Sequence, residues 1–295
     1  MKKFLGIIFV NIIFIVLILF MLDEAANCIQ FYHPGYWDGF SSVRLENPLT
    51  YNDDKKSIVI LGCSFAYGDA IGDSDNVSYK LQQLTDRKVY NRGQSAWGPQ
   101  FVLRDIQEAD FFQNKEIIEP EYFVYIFISD HIRRIYANYF SIQDYTIYDL
   151  YSIKNNKLVL KPKNVRFENY IKISTLAKRL NWLLFNLIPN DKKFDRLKLY
   201  IETMQSELKQ RYPDSKFVVI VYNSKNDIES HHIQPFKTNR WDELEKDGMI
   251  VINFDSPDYE FLTEREYLAS DEQHPSAKAW DVLTPIIAER LKLKE

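Results

Sequence analysis

Short apolar runs alternate with segments of helical periodicity along most of the chain from residue 57 onward. The first run, Ile58 to Leu61, is entirely apolar and mostly β-branched, which is typical of a strand buried in a parallel sheet. Further strands are predicted at Lys88–Asn91, Tyr122–Ile128, Lys216–Tyr222 and Met249–Phe254. Helices are predicted between and after them, at Asn76–Thr85, Gln100–Asp110, Tyr170–Leu187, Asp195–Gln210, Asp242–Asp247 and Ser276–Lys292. The alternation predicts an α/β fold in which helices cover both faces of a five-stranded parallel sheet.

One stretch interrupts this alternation. Tyr145–Ile153 and Lys157–Leu160 flank Lys154-Asn155-Asn156, a pattern that predicts a β-hairpin. We therefore expect a single domain at 57–295 that carries a hairpin-like insertion at about 136–168. Residues 25–56 would form an irregular lead-in to that domain.

The N-terminal segment predicts a membrane anchor. The run from Phe4 to Leu22 has Asn11 as its only polar side chain, and as a helix it matches the ~30 Å hydrocarbon core of a bilayer. Two lysines precede the run and two acidic residues follow it, so residues 1–24 would be a cytoplasmic tip and transmembrane helix, with the rest periplasmic or extracellular. A cleaved signal peptide is the alternative, but Ala25-Ala26-Asn27-Cys28 is a poor cleavage site.

Composition narrows the class of protein. Apolar residues make up 46% and charged residues 26%, which is enough for a packed core and excludes global disorder. The net charge of −4 gives no sign of a nucleic-acid partner. Two cysteines exclude a disulfide framework and a cysteine-only zinc site. Two unpaired thiols are the simplest interpretation, and a bridge between Cys28 and Cys63 is the alternative.

Cofactor signals are missing from the sequence. His231-His232 lies near Asp227 and Glu229, but no third ligand follows at metal-ligand spacing, so we expect no metal. The chain has no glycine-rich phosphate loop, so we expect no nucleotide cofactor either.

Two motifs carry residues with catalytic chemistry. Gly62-Cys63-Ser64-Phe65-Ala66-Tyr67-Gly68 follows the first strand and would expose Ser64 at the carboxyl edge of the sheet, where α/β proteins bind ligands. Asp271 and His274 precede the last helix at a spacing that brings the carboxylate to Nδ1 of the imidazole. Taken singly, Ser64 fits a helix N-cap and Asp271 a capping residue beside a surface histidine. Together they supply a nucleophile, a base and a group that orients the base.

The serine motif and the Asp271–His274 motif resemble the first and last sequence blocks of the SGNH (GDSL-type) hydrolase superfamily. They occur in the same order and in the same position relative to the strands. Asn91-Arg92-Gly93-Gln94-Ser95-Ala96-Trp97-Gly98 is similar to the second block of that family. The resemblance spans about residues 57 to 295 and implies a flavodoxin-like three-layer α/β/α sandwich. It also implies Ser64 as nucleophile, His274 as base and Asp271 as its orienter. Gly93 and the backbone amide of Ser64 would form the oxyanion hole.

The third block departs from the family pattern, because no Asn ends the strand at Ile128-Ser129-Asp130-His131. Either Ser129 or His131 would then supply the missing oxyanion donor, depending on where the strand ends. Trp97 and Arg133 are candidate substrate-binding residues, and Arg133 is equally well explained as a surface charge.

The resemblance and the predicted location favour a serine esterase that removes O-acyl groups, such as acetyl, from an envelope or extracellular glycan. An O-acyltransferase acting on the same class of glycan would use the same triad. A non-catalytic glycan-binding or assembly module is the third alternative, and the absent Asn is its main support.

Overall fold

A computed structural model of the chain describes residues 52, 55–113, 119–136, 140–142, 145–147, 151–160, 185–222, 236 and 238–293. Within these ranges, no helix has both the length and the apolar character that crossing a bilayer requires. The anchor predicted at Phe4–Leu22, the lead-in at 25–56 up to residue 51, and His231-His232 lie outside the described residues. Most of the helix predicted at Tyr170–Leu187 also lies outside them.

The described strands and helices alternate as the sequence predicts. The strands are β1 (Ser57–Gly62), β2 (Val89–Gly93), β3 (Pro120–Ile128), β4 (Phe140–Ile142), β5 (Tyr145–Ile147), β6 (Tyr151–Lys154), β7 (Lys157–Leu160), β8 (Lys216–Tyr222) and β9 (Ile250–Asn253). The helices are α1 (Ser64–Tyr67), α2 (Val77–Thr85), α3 (Pro99–Glu108), α4 (Asp110–Gln113), α5 (Asp130–Tyr136), α6 (Asn190–Arg211), α7 (Thr238–Lys246) and α8 (Ala277–Arg290).

Five of these strands form one parallel sheet in the order β2-β1-β3-β8-β9. The predicted five-stranded parallel sheet is therefore confirmed, and its order reverses at β1, beside β3. In open α/β sheets, ligands bind outside the carboxyl ends of the strands at such a reversal. The ends of β1, β2 and β3 are therefore the place to look for a site.

Each face of the sheet carries its own apolar core. Alternate residues of β1 point to opposite sides, so Val59 and Leu61 contribute to one core while Ile58 and Ile60 contribute to the other. The first core is completed by buried residues of α3, α6 and α7, and the second by those of α2 and α8. The sheet is thus the middle of three layers.

A separate antiparallel hairpin pairs β6 with β7. Its two turn residues, Asn155 and Asn156, have φ of 50° and 56°, as a two-residue type I′ turn requires. The hairpin packs on the helical layer through Tyr151, which is buried, lies edge-on to Tyr200 of α6 and donates its hydroxyl to Gln107 Oε1 of α3 at 2.7 Å. Strands β4 and β5 form a second short antiparallel pair before it.

Candidate active site

Ser64 is the first residue of α1 and lies directly beyond the end of β1. The chain turns there at Gly62, which has a φ of +146°. A Cβ at this position would lie 3.0 Å from Ile126 O, so a larger residue would strain the turn. The short helix ends where the amide of Gly68 donates to Ser64 O at 2.8 Å. Only 6% of Ser64 is exposed, so the side chain lies at the carboxyl edge of the sheet in a largely enclosed position.

Asp271 and His274 form a hydrogen-bonded pair before α8. His274 Nδ1 lies 2.5 Å from Asp271 Oδ2, and Asp271 Oδ1 accepts the backbone amides of Gln273 and His274, each at 3.1 Å. Burial raises the pKa of Asp271, but the hydrogen bonds from His274 and from the two amides outweigh it and lower that pKa below its ordinary value. The carboxylate therefore stays ionised and holds Nδ1, which leaves Nε2 as the nitrogen available to a hydroxyl proton.

The fold brings this pair to the serine turn. The ring of Phe65, the residue after Ser64, lies 5.1 Å from the ring of His274, and its other neighbour is Tyr222 at 5.3 Å. Within the described ranges, neither Ser64 Oγ nor His274 Nε2 has a hydrogen-bond partner. Catalytic hydrogen bonds are often long in unliganded proteins and tighten only around substrate. Ser64, His274 and Asp271, the residues predicted to be nucleophile, base and orienter, are thus brought to the same part of the sheet edge.

Gly93 is placed next to the serine turn, but in a packing role. A Cβ on Gly93 would lie 2.4 Å from Tyr67 N, so only glycine lets β2 approach α1 this closely. Its amide donates to Asn91 Oδ1 at 2.9 Å, and Asn91 Nδ2 in turn donates to Ala66 O at 2.8 Å. The amide is therefore engaged by Asn91 in this structure, and the role of Gly93 as an oxyanion donor stays a prediction.

The following loop contains a residue that the sequence did not single out. Ala96 has a φ of +64°, unusual for a residue with a Cβ, in a turn closed by the Trp97 amide donating to Gln94 O at 3.1 Å. Among the described residues, the Ala96 amide has no hydrogen-bond partner. An alanine carries no sequence signal for a left-handed turn, and only the position of the loop after a parallel strand could have drawn attention to it.

The end of β3 carries the two alternative oxyanion donors, Ser129 and His131. His131 is fully buried, with Nδ1 2.7 Å from the hydroxyl of Tyr125 and its ring against Tyr125 and Phe127, both members of the core beneath α6 and α7. It therefore packs in the core, and the alternative of His131 as an oxyanion donor stays a prediction. Ser129 is buried at the strand end, where its carbonyl accepts the amide of Ile132. Its role stays a prediction.

The two candidate substrate-binding residues are also part of the packing. Arg133 is 4% exposed, and its Nη2 lies 2.5 Å from Asp130 Oδ1. Trp97 is 9% exposed and stacks on Phe101 with ring centroids 6.4 Å apart. Neither is presented to solvent in this structure, and their roles in substrate binding stay predictions. Arg133 is equally not the surface charge that its sequence position indicates.

The described part of the chain contains no group of three or more His, Cys, Asp or Glu side chains arranged to hold a metal ion. Cys63 is buried as the N-cap residue of α1, and Cys28 lies outside the described residues, so the alternative of a bridge between them stays open.

Comparison with protein-family models gave no match, and neither did comparison with curated proteins. Among solved structures, the chain is similar to a lipolytic protein of the G-D-S-L family from Desulfitobacterium hafniense DCB-2, at 13% identity and a TM-score of 0.44, over 80% of this chain and 99% of that one. It is also similar to a G-D-S-L family protein from Veillonella parvula DSM 2008, at 10% identity and 0.46, over 82% and 100%. A third is the acetyl xylan esterase Est2A from Butyrivibrio proteoclasticus, at 13% and 0.42, over 84% and 67%.

Proposed function

We propose that this protein is a serine esterase in which Ser64 is the nucleophile, His274 the general base and Asp271 the group that orients His274. The observation that carries the proposal is the hydrogen-bonded Asp271–His274 pair lying against Phe65, the residue next to Ser64. A carboxylate that holds an imidazole near an enclosed serine at this edge of the sheet supports the assignment.

The reaction would proceed in two halves. His274 Nε2 takes the proton of the Ser64 hydroxyl as Oγ attacks the ester carbonyl, and then returns that proton to the departing alkoxide. Water, deprotonated by the same nitrogen, next attacks the acyl-enzyme, and the proton passes from Nε2 to Ser64 Oγ as that oxygen leaves, which releases the acid and regenerates the serine. The developing oxyanion needs donors, and the Ser64 amide, at the first position of α1, has no intrahelical acceptor. We assign the second donor to the unengaged amide of Ala96.

The substrate class and the location belong to the same proposal. We propose an O-acylated glycan, acetyl being the acyl group expected, because 15% of the residues are aromatic and such side chains suit sugar faces. The segment Phe4–Leu22 would hold the domain at the outer side of the inner or plasma membrane, where envelope and extracellular glycans are found. Transfer of the acyl group to a sugar hydroxyl in place of water would use the same first half-reaction.

Labelling with a fluorophosphonate tests the assignment, because that probe reacts with activated serines. The full chain should be labelled at Ser64, and Ser64→Ala and His274→Ala should abolish both labelling and hydrolysis of p-nitrophenyl acetate. Asp271→Asn should lower kcat by roughly 10³- to 10⁴-fold while the protein stays folded. Ser152→Ala, on the exposed hairpin, is the matched control and should behave as wild type.

A folded wild-type protein that is neither labelled nor active on acetyl esters would overturn the proposal. Supplying an acetyl donor together with an oligosaccharide acceptor distinguishes the two possible outcomes of the second half-reaction: free acetate alone identifies a hydrolase, and acetylated sugar a transferase.

A further inference from the structure

Arg134 joins the end of β3 to the loop after β2. Its Nη1 donates to Trp97 O at 2.6 Å, and its Nε donates to Asp130 Oδ2 at 2.6 Å. Both side chains are buried, at 6% and 2% exposure. Gln100 strengthens the connection from the other direction, because its Nε2 donates to the backbone carbonyl of Arg134 at 3.0 Å. The guanidinium is thus a fixed link between two strand ends and not a solvent-facing charge.

The same loop is held from its opposite side. Ser95 Oγ donates to the carboxylate of Asp69, at 2.6 Å from Oδ1 and 2.8 Å from Oδ2. Asp69 belongs to the serine turn, since its own amide donates to Ser64 O at 3.1 Å. One contact therefore ties the loop to the serine turn, and the other ties it to α5. Ala96 lies between the two tied residues.

The left-handed backbone of Ala96 depends on contacts that hold the neighbouring residues. A left-handed backbone is unfavourable for alanine because its Cβ approaches the following carbonyl oxygen. A residue persists in this conformation only where its surroundings over-determine it. The hydrogen bonds of the Ser95 side chain and of the Trp97 carbonyl hold the residues on either side of Ala96, and so restrict the backbone that flanks it. An amide aimed at developing negative charge contributes only while its orientation is kept.

We propose that Arg134 is a positioning residue for the reaction: held by Asp130, it fixes the carbonyl of Trp97 and thereby keeps the Ala96 amide in place as an oxyanion donor. The inference rests on the proposed esterase function. The end of β3, which has no Asn, would then support catalysis through the loop that follows β2. Arg134 does not touch substrate in this account, so its loss should affect kcat and leave substrate binding nearly unchanged.

The test compares Arg134→Gln with wild type in the full chain. With p-nitrophenyl acetate, we expect kcat to fall by roughly 10²-fold, the effect of losing one oxyanion donor, while KM stays within about threefold. Hydrogen exchange of the peptide covering residues 94–98 should become faster in the variant. Arg134→Lys keeps the buried cation and should recover part of kcat, because an ammonium cannot reproduce the two-pronged contact of a guanidinium. If Arg134→Gln does not fold, the kcat and the hydrogen exchange of Arg134→Lys provide the test instead.

Two control variants distinguish a positioning role of Arg134 from a general loss of stability. Arg104→Gln makes the same substitution in a surface pair with Glu108 and should leave kcat and loop exchange unchanged. Arg92→Gln breaks another buried arginine–carboxylate pair, with Asp105, and should lower the melting temperature without a comparable loss of kcat.

The outcomes are distinct. An active wild type combined with wild-type kcat in Arg134→Gln, or with unchanged exchange at 94–98, overturns the inference and leaves the esterase assignment intact. An equal loss of kcat in Arg92→Gln overturns it as well, because the effect is then one of stability. A wild type that neither turns over esters nor is labelled at Ser64 overturns the proposed function, and the catalytic part of the inference with it.

Discussion

Replacing Gly93 with alanine places a methyl group where β2 meets the serine turn. The added Cβ would lie 2.4 Å from Tyr67 N and 2.7 Å from both the carbonyl carbon and Cβ of Ala66. The shortest of these is about 1 Å less than the 3.4 Å at which ordinary contact begins. The atoms that must yield belong mainly to the backbone of α1, so α1 has to move as a unit. Ser64 is the first residue of that helix and moves with it.

The size of the Ser64 displacement determines the expected loss of kcat. A shift of about 1 Å in a catalytic group costs roughly 10²-fold in rate, so we expect Gly93→Ala to lower kcat for p-nitrophenyl acetate by about that factor. Overpacking should also cost about 1–3 kcal/mol of unfolding free energy, which urea titration monitored by circular dichroism measures. The variant should remain folded, and its labelling by a fluorophosphonate should slow in parallel with kcat.

Gly248→Ala provides the matched control. Gly248 has a φ of +79°, and a Cβ there would meet no atom within 4 Å. It lies just before β9, at the amino edge of the sheet and thus opposite to Ser64. Its left-handed backbone makes alanine cost about 1–2 kcal/mol, a similar loss of stability without a displaced serine. Wild-type kcat in Gly93→Ala, or an equal loss of kcat in Gly248→Ala, refutes this reasoning.

Acid unfolding and membrane extraction test two other features of the chain. Burial, followed by the Arg134 guanidinium, lowers the pKa of His131 well below 6.5 against the opposing effect of Asp130. The folded protein therefore keeps His131 neutral while the unfolded chain binds a proton below about pH 6.5, so stability falls as the pH drops through that value, by up to about 1.4 kcal/mol per pH unit. Urea titrations from pH 8 to 5 should show this slope reduced in His131→Asn, and parallel curves for the two proteins contradict it. At the N-terminus, the full chain should resist alkaline carbonate extraction from membranes and a chain starting at residue 25 should not; release of both argues against a span at Phe4–Leu22.

The features that the sequence predicted correctly depend on short-range patterns. β8 has the predicted bounds, Lys216–Tyr222, because a run that is apolar at nearly every position fits only a strand covered on both faces. The hydrogen bond between Asp271 and His274 follows from a three-residue spacing, which one turn of backbone satisfies by itself. In both cases the residues that decide the structure are neighbours along the chain.

The features that it missed depend on distant contacts. His131 faces the core because its ring packs on Tyr125 and Phe127 of β3, and a sequence pattern does not specify how the chain rotates as it leaves a strand. Arg133 has the composition of a surface residue, yet it is buried because the Asp130 carboxylate pairs with it. The use of the Gly93 amide by Asn91 depends on a side-chain rotamer that no spacing encodes.

The missing Asn at the end of β3 acquires a different meaning in this structure. Had the strand end supplied nothing to the loops around Ser64, its departure from the family pattern would favour a binding module without catalysis. Instead, Asp130 sits where that strand ends and accepts hydrogen bonds from Arg134, which in turn holds Trp97 O on the loop that carries Ala96. The side-chain amide of an Asn can donate directly to an oxyanion. In the arrangement proposed here, Arg134 acts indirectly, because it fixes the loop whose backbone amide donates instead. If Arg134 has the role proposed above, the absent Asn is no argument against turnover, and the proposed triad of Ser64, His274 and Asp271 is the feature on which activity should be tested first.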